Sequence, residues 1–138
     1  MTKRVHAVGI IFENSNGEIL VLRRDKSQIE GEKWGLVGGN IDDGETLEQA
    51  VIRETSEEIG VKLTSDQLHP LKSFYWSRTE HKLTFTVFKT LFTNNTIPLK
   101  LDSHENSDYR WVNPSELYKE TGLMKGLYSI LEDVYGIK

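Results

Sequence analysis

Apolar residues near the start of the chain form two short runs, residues 5–12 and 19–22, which a polar segment at 14–17 separates. Short apolar runs bounded by turn formers are typical of β-strands, and an Asn-Gly pair favours a tight turn because it tolerates positive φ angles. The pattern therefore predicts a β-hairpin. Two longer strand-like stretches follow at residues 68–76 and 83–92, and the second one alternates in the manner of a strand.

The strongest helix signal in the chain covers residues 46–59. Thr46 and Gln49 have the spacing of a capping box, in which each residue satisfies a free backbone N–H of the other. Gly60 stands where the end of a helix favours left-handed backbone geometry. Both ends of this helix are therefore predicted from local residues.

The remaining segments are shorter. Residues 109–112 are expected to form a strand, and Asn113 followed by Pro114 predicts a helix start, with Asn as the cap and Pro in the first turn. A last helix is expected over residues 124–135. Three glycines and two aspartates at residues 38–44 predict a loop without regular structure. Strands interleaved with helices in this order indicate the α/β class, a mixed sheet covered by helices on its faces.

Length and composition limit the alternatives. The 138 residues suit one domain over 1–138, and the absence of cysteine removes thiolate nucleophiles and cysteine-bound metals. A net charge of -4 disfavours bulk nucleic-acid binding. The first apolar run is interrupted at Glu13, too early for a signal peptide, so we expect a cytoplasmic protein with no membrane attachment.

Two carboxylates occupy unusual positions on the helix predicted over 46–59. At 100° per residue, Leu47, Ala50 and Val51 form the apolar stripe that a surface helix buries, and the same stripe continues to Glu54 and Glu58. An unpaired buried carboxylate costs several kcal/mol or becomes protonated. Some feature of the structure must compensate these two groups.

Three explanations fit this placement. The acids could pair with cations, for which Arg53 and Arg78 are available, or the end of the helix could project into solvent. The third explanation is a divalent-metal site, because Mg²⁺ and Mn²⁺ prefer oxygen ligands and Mg²⁺ is usually held by a few carboxylates. The glycines before the helix favour the metal, since they let a polyanion approach the backbone closely.

The segment GGNIDDGETLEQAVIRETSEEIGV resembles the Nudix box: Gly, five residues, Glu, seven residues, then Arg-Glu-x-x-Glu-Glu-x-Gly-aliphatic, here over residues 39–61. The fixed positions are held by Gly39, Glu45, Arg53, Glu54, Glu57, Glu58, Gly60 and Val61. Two positions depart from the usual pattern: Thr55, where the family usually has an aliphatic residue, and Val37, where many members have proline. Neither is a ligand position.

The resemblance implies a Nudix-type α/β/α sandwich whose sheet is mainly antiparallel and partly parallel. It also implies hydrolysis of a nucleoside diphosphate linked to a further group. By the same resemblance Glu54, Glu57 and Glu58, assisted by the Gly39 carbonyl, would bind Mg²⁺, with Mn²⁺ able to substitute. Glu45 and Arg53 would form an ion pair that holds the loop against the helix, and Gly60 would end that helix.

Other candidates carry the remaining roles. The general base is expected from Glu57 or Glu105, and we include Glu54 among the catalytic carboxylates. Arg23 and Arg24, at the end of the second strand, are candidates for binding substrate phosphate. Arg78 follows Phe74-Tyr75-Trp76, a cluster that could stack a base, although at least two of those aromatics are expected in the core.

The predicted activity is a Mg²⁺-dependent pyrophosphohydrolase acting on a nucleoside triphosphate or another nucleoside diphosphate derivative, with water attacking phosphorus. Nucleotide-sugar, ADP-ribose and dinucleoside polyphosphate hydrolases are alternatives, and a non-catalytic domain that senses nucleotides is a further one. The expected partner is a small nucleotide, and the sequence leaves a homodimer open.

Overall fold

The computed structural model describes residues 3–78, 81–92, 99–102 and 104–138. Its strands are β1 (Lys3–Asn14), β2 (Ile19–Arg24), β3 (Trp34–Gly35), β4 (Val37–Asn40), β5 (His69–Arg78), β6 (His81–Phe92) and β7 (Asn106–Val112). Its helices are α1 (Leu47–Ile59), α2 (Pro114–Tyr118) and α3 (Leu127–Tyr135), with a short 3-10 turn at Ser65–Gln67.

All seven strands belong to one sheet, with the order β3-β2-β1-β6-β5. Strand β1 lies at its centre, parallel to β6 and antiparallel to β2 and β4. The strands β1 and β2 pair only next to their turn, and beyond it β4 pairs with β1 while β3 pairs with β2. The remaining strand, β7, pairs with β2. The mixed sheet expected from the sequence is confirmed, with the β1–β6 pair as its parallel part.

The sheet is buried on both faces, which explains the uninterrupted apolar run in β1. Val8, Ile10 and Phe12 pack with α1, whereas Ile11 points to the other face and packs with α2 and α3. Successive side chains of a strand alternate between faces, so a strand covered on both sides needs apolar residues at nearly every position. The α/β/α arrangement is therefore present.

Helix α1 begins and ends as predicted. The Thr46 hydroxyl accepts from the Gln49 backbone N–H at 3.1 Å, and the Gln49 amide oxygen accepts from the Thr46 N–H at 2.9 Å. Gly60 has φ of 71°, the left-handed geometry that lets a helix end without steric cost. These caps fix the helix in place just after β4.

Four local predictions needed correction. The expected loop at 38–44 contains a strand, β4, because Gly38 pairs closely with β1: a Cβ there would lie 2.1 Å from the Val8 carbonyl oxygen. In the hairpin turn only Gly17 has positive φ, and the Asn14 side chain closes the turn by accepting from two backbone N–H groups.

The other two corrections concern element starts. Strand β7 begins at Asn106, three residues before the predicted start, and pairs with the full length of β2. Helix α3 begins at Leu127 because the backbone N–H of Met124 donates to the Trp34 carbonyl, which holds the preceding residues against β3.

The prediction of one domain over 1–138 stays a prediction. Within the described residues, no helix has the length and apolarity needed to cross a membrane.

The buried side of α1 contains one unsatisfied polar atom. Thr55 is fully buried, and its hydroxyl has no hydrogen-bond partner among the described residues. We expect Thr55→Val to raise the free energy of unfolding by about 1 kcal/mol, since valine keeps the shape and removes the desolvated hydroxyl. Urea unfolding would measure it. Thr55→Ser, which keeps the hydroxyl and loses the methyl, should be less stable than wild type; a valine variant no more stable than wild type would contradict the assignment.

Candidate active site

Three carboxylates meet beside the edge of the sheet. Glu54 and Glu58 project from the last two turns of α1, and Glu105 comes from the turn that precedes β7. Each offers one oxygen, and these three oxygens all lie within 4.8 Å of one another. The turn that carries Glu105 is held in place because the Asp25 backbone N–H donates to the Glu105 carbonyl at 2.8 Å. The fold therefore concentrates negative charge at one point.

Glu58 is the most buried of the three, with 3% of its surface exposed. One of its oxygens accepts from the Gly38 backbone N–H at 2.7 Å, and the other accepts from the Asn106 side-chain amide at 3.0 Å. Burial raises the pKa of Glu58 to about 8, against the lowering effect of these two hydrogen bonds, and the nearby Glu54 and Glu105 raise it further. Glu58 has no cationic partner among the described residues.

Glu54 lies at the border between core and pocket, with 12% of its side chain exposed. Burial raises its pKa, and the neighbouring Arg53, whose guanidinium donates to it at 2.9 Å, partly opposes that effect. The carboxylate rests directly on the backbone of β4, because a Cβ at Gly39 would lie 2.7 Å from the Glu54 carboxylate atoms. Only glycine leaves room for this contact.

Arg53 organises the surrounding loop. Its guanidinium donates to Glu45 at 2.7 and 3.0 Å, to Glu57 at 3.1 Å and to the Asn40 carbonyl at 3.0 Å. The hydrogen bond from Arg53 lowers the pKa of Glu45, and that bond in turn is the main reason why the pKa of Arg53 is raised. The ion pair expected from the sequence is therefore present, and it joins the loop after β4 to α1.

The cluster fits a divalent cation. Glu58 is buried, so its carboxylate is not explained by a helix end that projects into solvent. An ion pair with Arg53 explains Glu54, but Glu58 has no such pair. Three carboxylates converge with one guanidinium in contact, so the described residues leave negative charge uncompensated. Oxygen donors in this number suit Mg²⁺ or Mn²⁺. Glu54, Glu58 and Glu105 are the residues that could hold such an ion.

A pocket of about 500 Å³ opens beside the cluster, and Glu54 and Glu105 form part of its wall. Arg24 lines this pocket, and its Nε donates to the Ile29 carbonyl at 2.9 Å. Arg23 lies outside the pocket lining and pairs with Glu32 at 3.9 Å. The structure thus separates the two arginines that the sequence could not distinguish.

The remaining candidates from the sequence are Glu57, Arg78 and the aromatic residues at 74–76. Glu57 has 56% of its side chain exposed and contacts Arg53, outside the group of three clustered acids. The side chain of Arg78 lies outside the part of the chain that the structure describes. Phe74 and Trp76 pack on the core as expected, while Tyr75 is exposed on the opposite face. The roles assigned to these residues stay predictions.

Sequence reasoning missed two groups that hold Glu58. Asn106 lies outside the strand predicted over residues 109–112, although it is 2% exposed and begins β7. The Gly38 N–H belongs to the segment at 38–44 that the sequence predicts to be a loop. No local pattern marks either one, because both meet Glu58 only through tertiary packing of β4 and β7 on α1.

Comparison with known proteins agrees with this geometry. A family model described as the NUDIX domain matches residues 3–134. An RNA pyrophosphohydrolase from Novosphingobium aromaticivorans is 31% identical over 126 residues, covering 80% of this chain and 78% of that protein. The nucleoside triphosphatase NudI of Escherichia coli is 26% identical over 116 residues, covering 78% of this chain and 80% of that protein. The crystal structure of a MutT protein from Methanosarcina mazei Go1 matches with a TM-score of 0.83 at 25% identity, covering 99% of this chain and 98% of that one.

The fold and the acid cluster together define an α/β/α protein with a carboxylate-lined pocket. The chain belongs to the NUDIX domain family. Nudix hydrolases are pyrophosphohydrolases, and the family generally uses divalent metal ions.

The raised pKa of Glu58 predicts a pH-dependent stability for the metal-free protein. Its ordinary pKa of 4.5 becomes about 8 on folding, so the folded state keeps a proton that the unfolded state releases. The contribution to the free energy of unfolding is full below pH 4.5 and is lost as the pH rises through about 8. Urea unfolding in EDTA over this range should show wild type losing more stability than Glu58→Gln. Parallel pH profiles would contradict the assignment.

Proposed function

We propose that the protein is a Mg²⁺-dependent pyrophosphohydrolase that cleaves a phosphoanhydride bond of a nucleoside triphosphate or of another nucleoside diphosphate derivative. The observation that carries this proposal is the convergence of Glu54, Glu58 and Glu105 beside a pocket of about 500 Å³, in whose wall Glu54 and Glu105 lie. The relatives named as an RNA pyrophosphohydrolase and as a nucleoside triphosphatase support it. The preference for a nucleoside triphosphate follows the name of the nucleoside triphosphatase relative.

Glu54 and Glu58 are the proposed ligands of the ion, with the Gly39 carbonyl beside them, and Mn²⁺ should substitute for Mg²⁺. When bound, the ion would neutralise phosphate charge and lower the pKa of a water molecule. Glu57, which the resemblance also implies as a ligand, would act through Arg53, since its carboxylate contacts that guanidinium.

The protein's own groups position the reaction. Water attacks phosphorus, the new P–O bond forms as the anhydride P–O bond breaks, and the proton of the water passes to a carboxylate oxygen. Glu105 is our candidate for this acceptor, because it is exposed, lines the pocket and is free of arginine contacts among the described residues. Arg24, which lines the same pocket, would bind a phosphate oxygen. Charge stabilisation and positioning supply most of the acceleration.

The remaining expectations are part of the same proposal. Hydrolysis of nucleotide sugars, ADP-ribose or dinucleoside polyphosphates would use the same acid cluster, and a non-catalytic sensor would bind nucleotide without turnover. The proposed partner is a small nucleotide in the cytoplasm, without binding to bulk nucleic acid or membrane. Gel filtration decides between a monomer and a homodimer.

The first test is a phosphate-release screen with Mg²⁺ across nucleoside triphosphates, nucleotide sugars and dinucleoside polyphosphates. We expect turnover of at least one triphosphate, and a loss of about 100-fold or more in kcat/KM for Glu58→Gln, which keeps the shape and removes the charge. Glu48→Gln is the matched control, because Glu48 is an exposed acid in the first turn of the same helix. Wild-type turnover in Glu58→Gln would refute the assigned role.

A second test uses the contact between Gly39 and Glu54. A methyl group at position 39 must displace the Glu54 carboxylate, so we expect Gly39→Ala to lower kcat by about 10-fold or more while the protein stays folded. Gly122→Ala is the control, since a Cβ there meets nothing within 4 Å. Steady-state kinetics and thermal unfolding of both variants would be compared. Equal activity of the two variants would show that the contact is not needed.

A further inference from the structure

Asn106 is a buried amide that contacts the acid cluster from β7. It is the first residue of that strand, follows Glu105 directly and is 2% exposed. Its side-chain amide donates to the Glu58 carboxylate at 3.0 Å. A buried amide costs free energy unless it is hydrogen-bonded, so an apolar residue would serve packing better at this position. The bond to Glu58 is therefore what an amide provides here and an apolar residue would not.

The turn that carries Glu105 is attached to Glu58 at both ends. At its start the Asp102 backbone N–H donates to the Glu58 backbone carbonyl at 3.0 Å, and at its end the Asn106 amide donates to the Glu58 carboxylate. The Asp102 carbonyl closes the turn by accepting from the backbone N–H groups of Glu105 at 3.1 Å and of Asn106 at 3.0 Å. Glu105 therefore lies between two attachments to Glu58, with which it shares the acid cluster.

The carboxylate of Glu58 is held by donors on two sides. The Gly38 backbone N–H donates to Oε1 at 2.7 Å and the Asn106 amide donates to Oε2 at 3.0 Å, so rotation of the carboxylate about its last bond would break both hydrogen bonds. Each carboxylate oxygen has a second lone pair, which these donors leave for an ion. The Gly38 donor belongs to the backbone, whereas the Asn106 donor depends on the side chain. Asn106 is therefore the residue whose identity sets this orientation.

We propose that Asn106 is a positioning residue, whose amide aims the Glu58 carboxylate at the bound ion and fixes the spacing between Glu58 and Glu105. The inference rests on the proposed function, in which Glu58 is a ligand and Glu105 accepts the proton of the attacking water. Asn106 lies outside the pocket lining, so it acts through these two carboxylates and not on the substrate. Hydrogen-bond partners that orient metal ligands contribute about 10–100-fold to metal affinity or activity.

Asn14, at the hairpin end of β1, provides a matched control. It is 5% exposed, and its side-chain amide donates to the Glu18 carboxylate at 3.0 Å, which is the same kind of bond at the same length. It lies outside the pocket lining and outside the acid cluster. Its side chain also accepts two backbone hydrogen bonds, so its replacement should cost at least as much stability as replacement of Asn106. A general loss of stability would therefore appear in both variants.

The main experiment measures Mn²⁺ binding without substrate, from the EPR signal of the free ion, and kcat at saturating Mg²⁺. Asn106→Leu keeps the branched shape and lacks the donor, so we expect the Kd for Mn²⁺ to rise by about 10–100-fold and kcat to fall by about 10-fold or more. Asn14→Leu should keep the wild-type Kd and kcat, while urea unfolding reports its lower stability. A folded Asn106→Leu protein with either the wild-type Kd or the wild-type kcat would overturn the proposal.

A double-mutant cycle tests whether Asn106 acts through Glu58. In the Glu58→Gln background the ligand that Asn106 orients is absent, so Asn106→Leu should change the Kd for Mn²⁺ no further. The same weakening in both backgrounds would show that Asn106 acts elsewhere and would overturn the proposal. Asn106→Ala, which avoids overpacking, takes the place of the leucine variant in every measurement if the leucine protein does not fold.

Failure of the proposed function would give a different pattern. If no nucleotide is hydrolysed, Mn²⁺ binding that both Glu58→Gln and Asn106→Leu weaken would support the positioning role while refuting the hydrolase. If nucleotides are hydrolysed and Asn106→Leu binds Mn²⁺ as tightly as wild type, the hydrolase stands and the positioning role is refuted. A wild-type protein that binds no Mn²⁺ would overturn the positioning role whatever its turnover.

Discussion

The structure depends on the burial of one carboxylate. Glu58 lies where α1, β4 and β7 meet, and its two oxygens accept one hydrogen bond from each strand. These bonds orient the group but do not neutralise it, because both donors are uncharged amides. A helix that served packing alone would place an aliphatic side chain here. The fold thus buries a carboxyl group whose charged form is costly at the point where its layers join, and the neighbouring site follows from that burial.

Arg53 neutralises the carboxylates on the loop side of α1 but not all of those on the pocket side. One guanidinium contacts Glu45, Glu54 and Glu57, and through them it fixes the loop after β4 against α1. Arg53 also pairs with Asp42 of that loop at 3.3 Å, whereas it makes no contact with Glu58 or Glu105. The network therefore provides rigidity on the loop side while leaving unneutralised charge on the pocket side, which is the distribution that a polyanion bound with a cation requires.

The parts that the sequence predicted well are those with local causes. The caps of α1, the Pro114 helix start and the apolar stripe leading to Glu58 all depend on residues within a few positions of one another. The strand at Gly38 and the amide of Asn106 depend on partners far along the chain, and glycines or a lone asparagine give no local signal for them. Glu105 could be identified only as a loop acid, because its position is fixed by the backbone of Asp25. The box motif supplied the candidate ligands, and tertiary packing decided which of them converge.

The central position of β1 also bears on how the chain folds. Its longest pairing is with β6, residue for residue from Lys3 with His81 to Asn14 with Phe92. On the ribosome, the hairpin and α1 emerge long before residues 81–92 are synthesised. During that time the edge of β1 that pairs with β6 has no partner strand. Such non-local parallel pairing slows folding and leaves an aggregation-prone edge during synthesis. Completion of the sheet, and with it assembly of the pocket floor, must follow the arrival of β6.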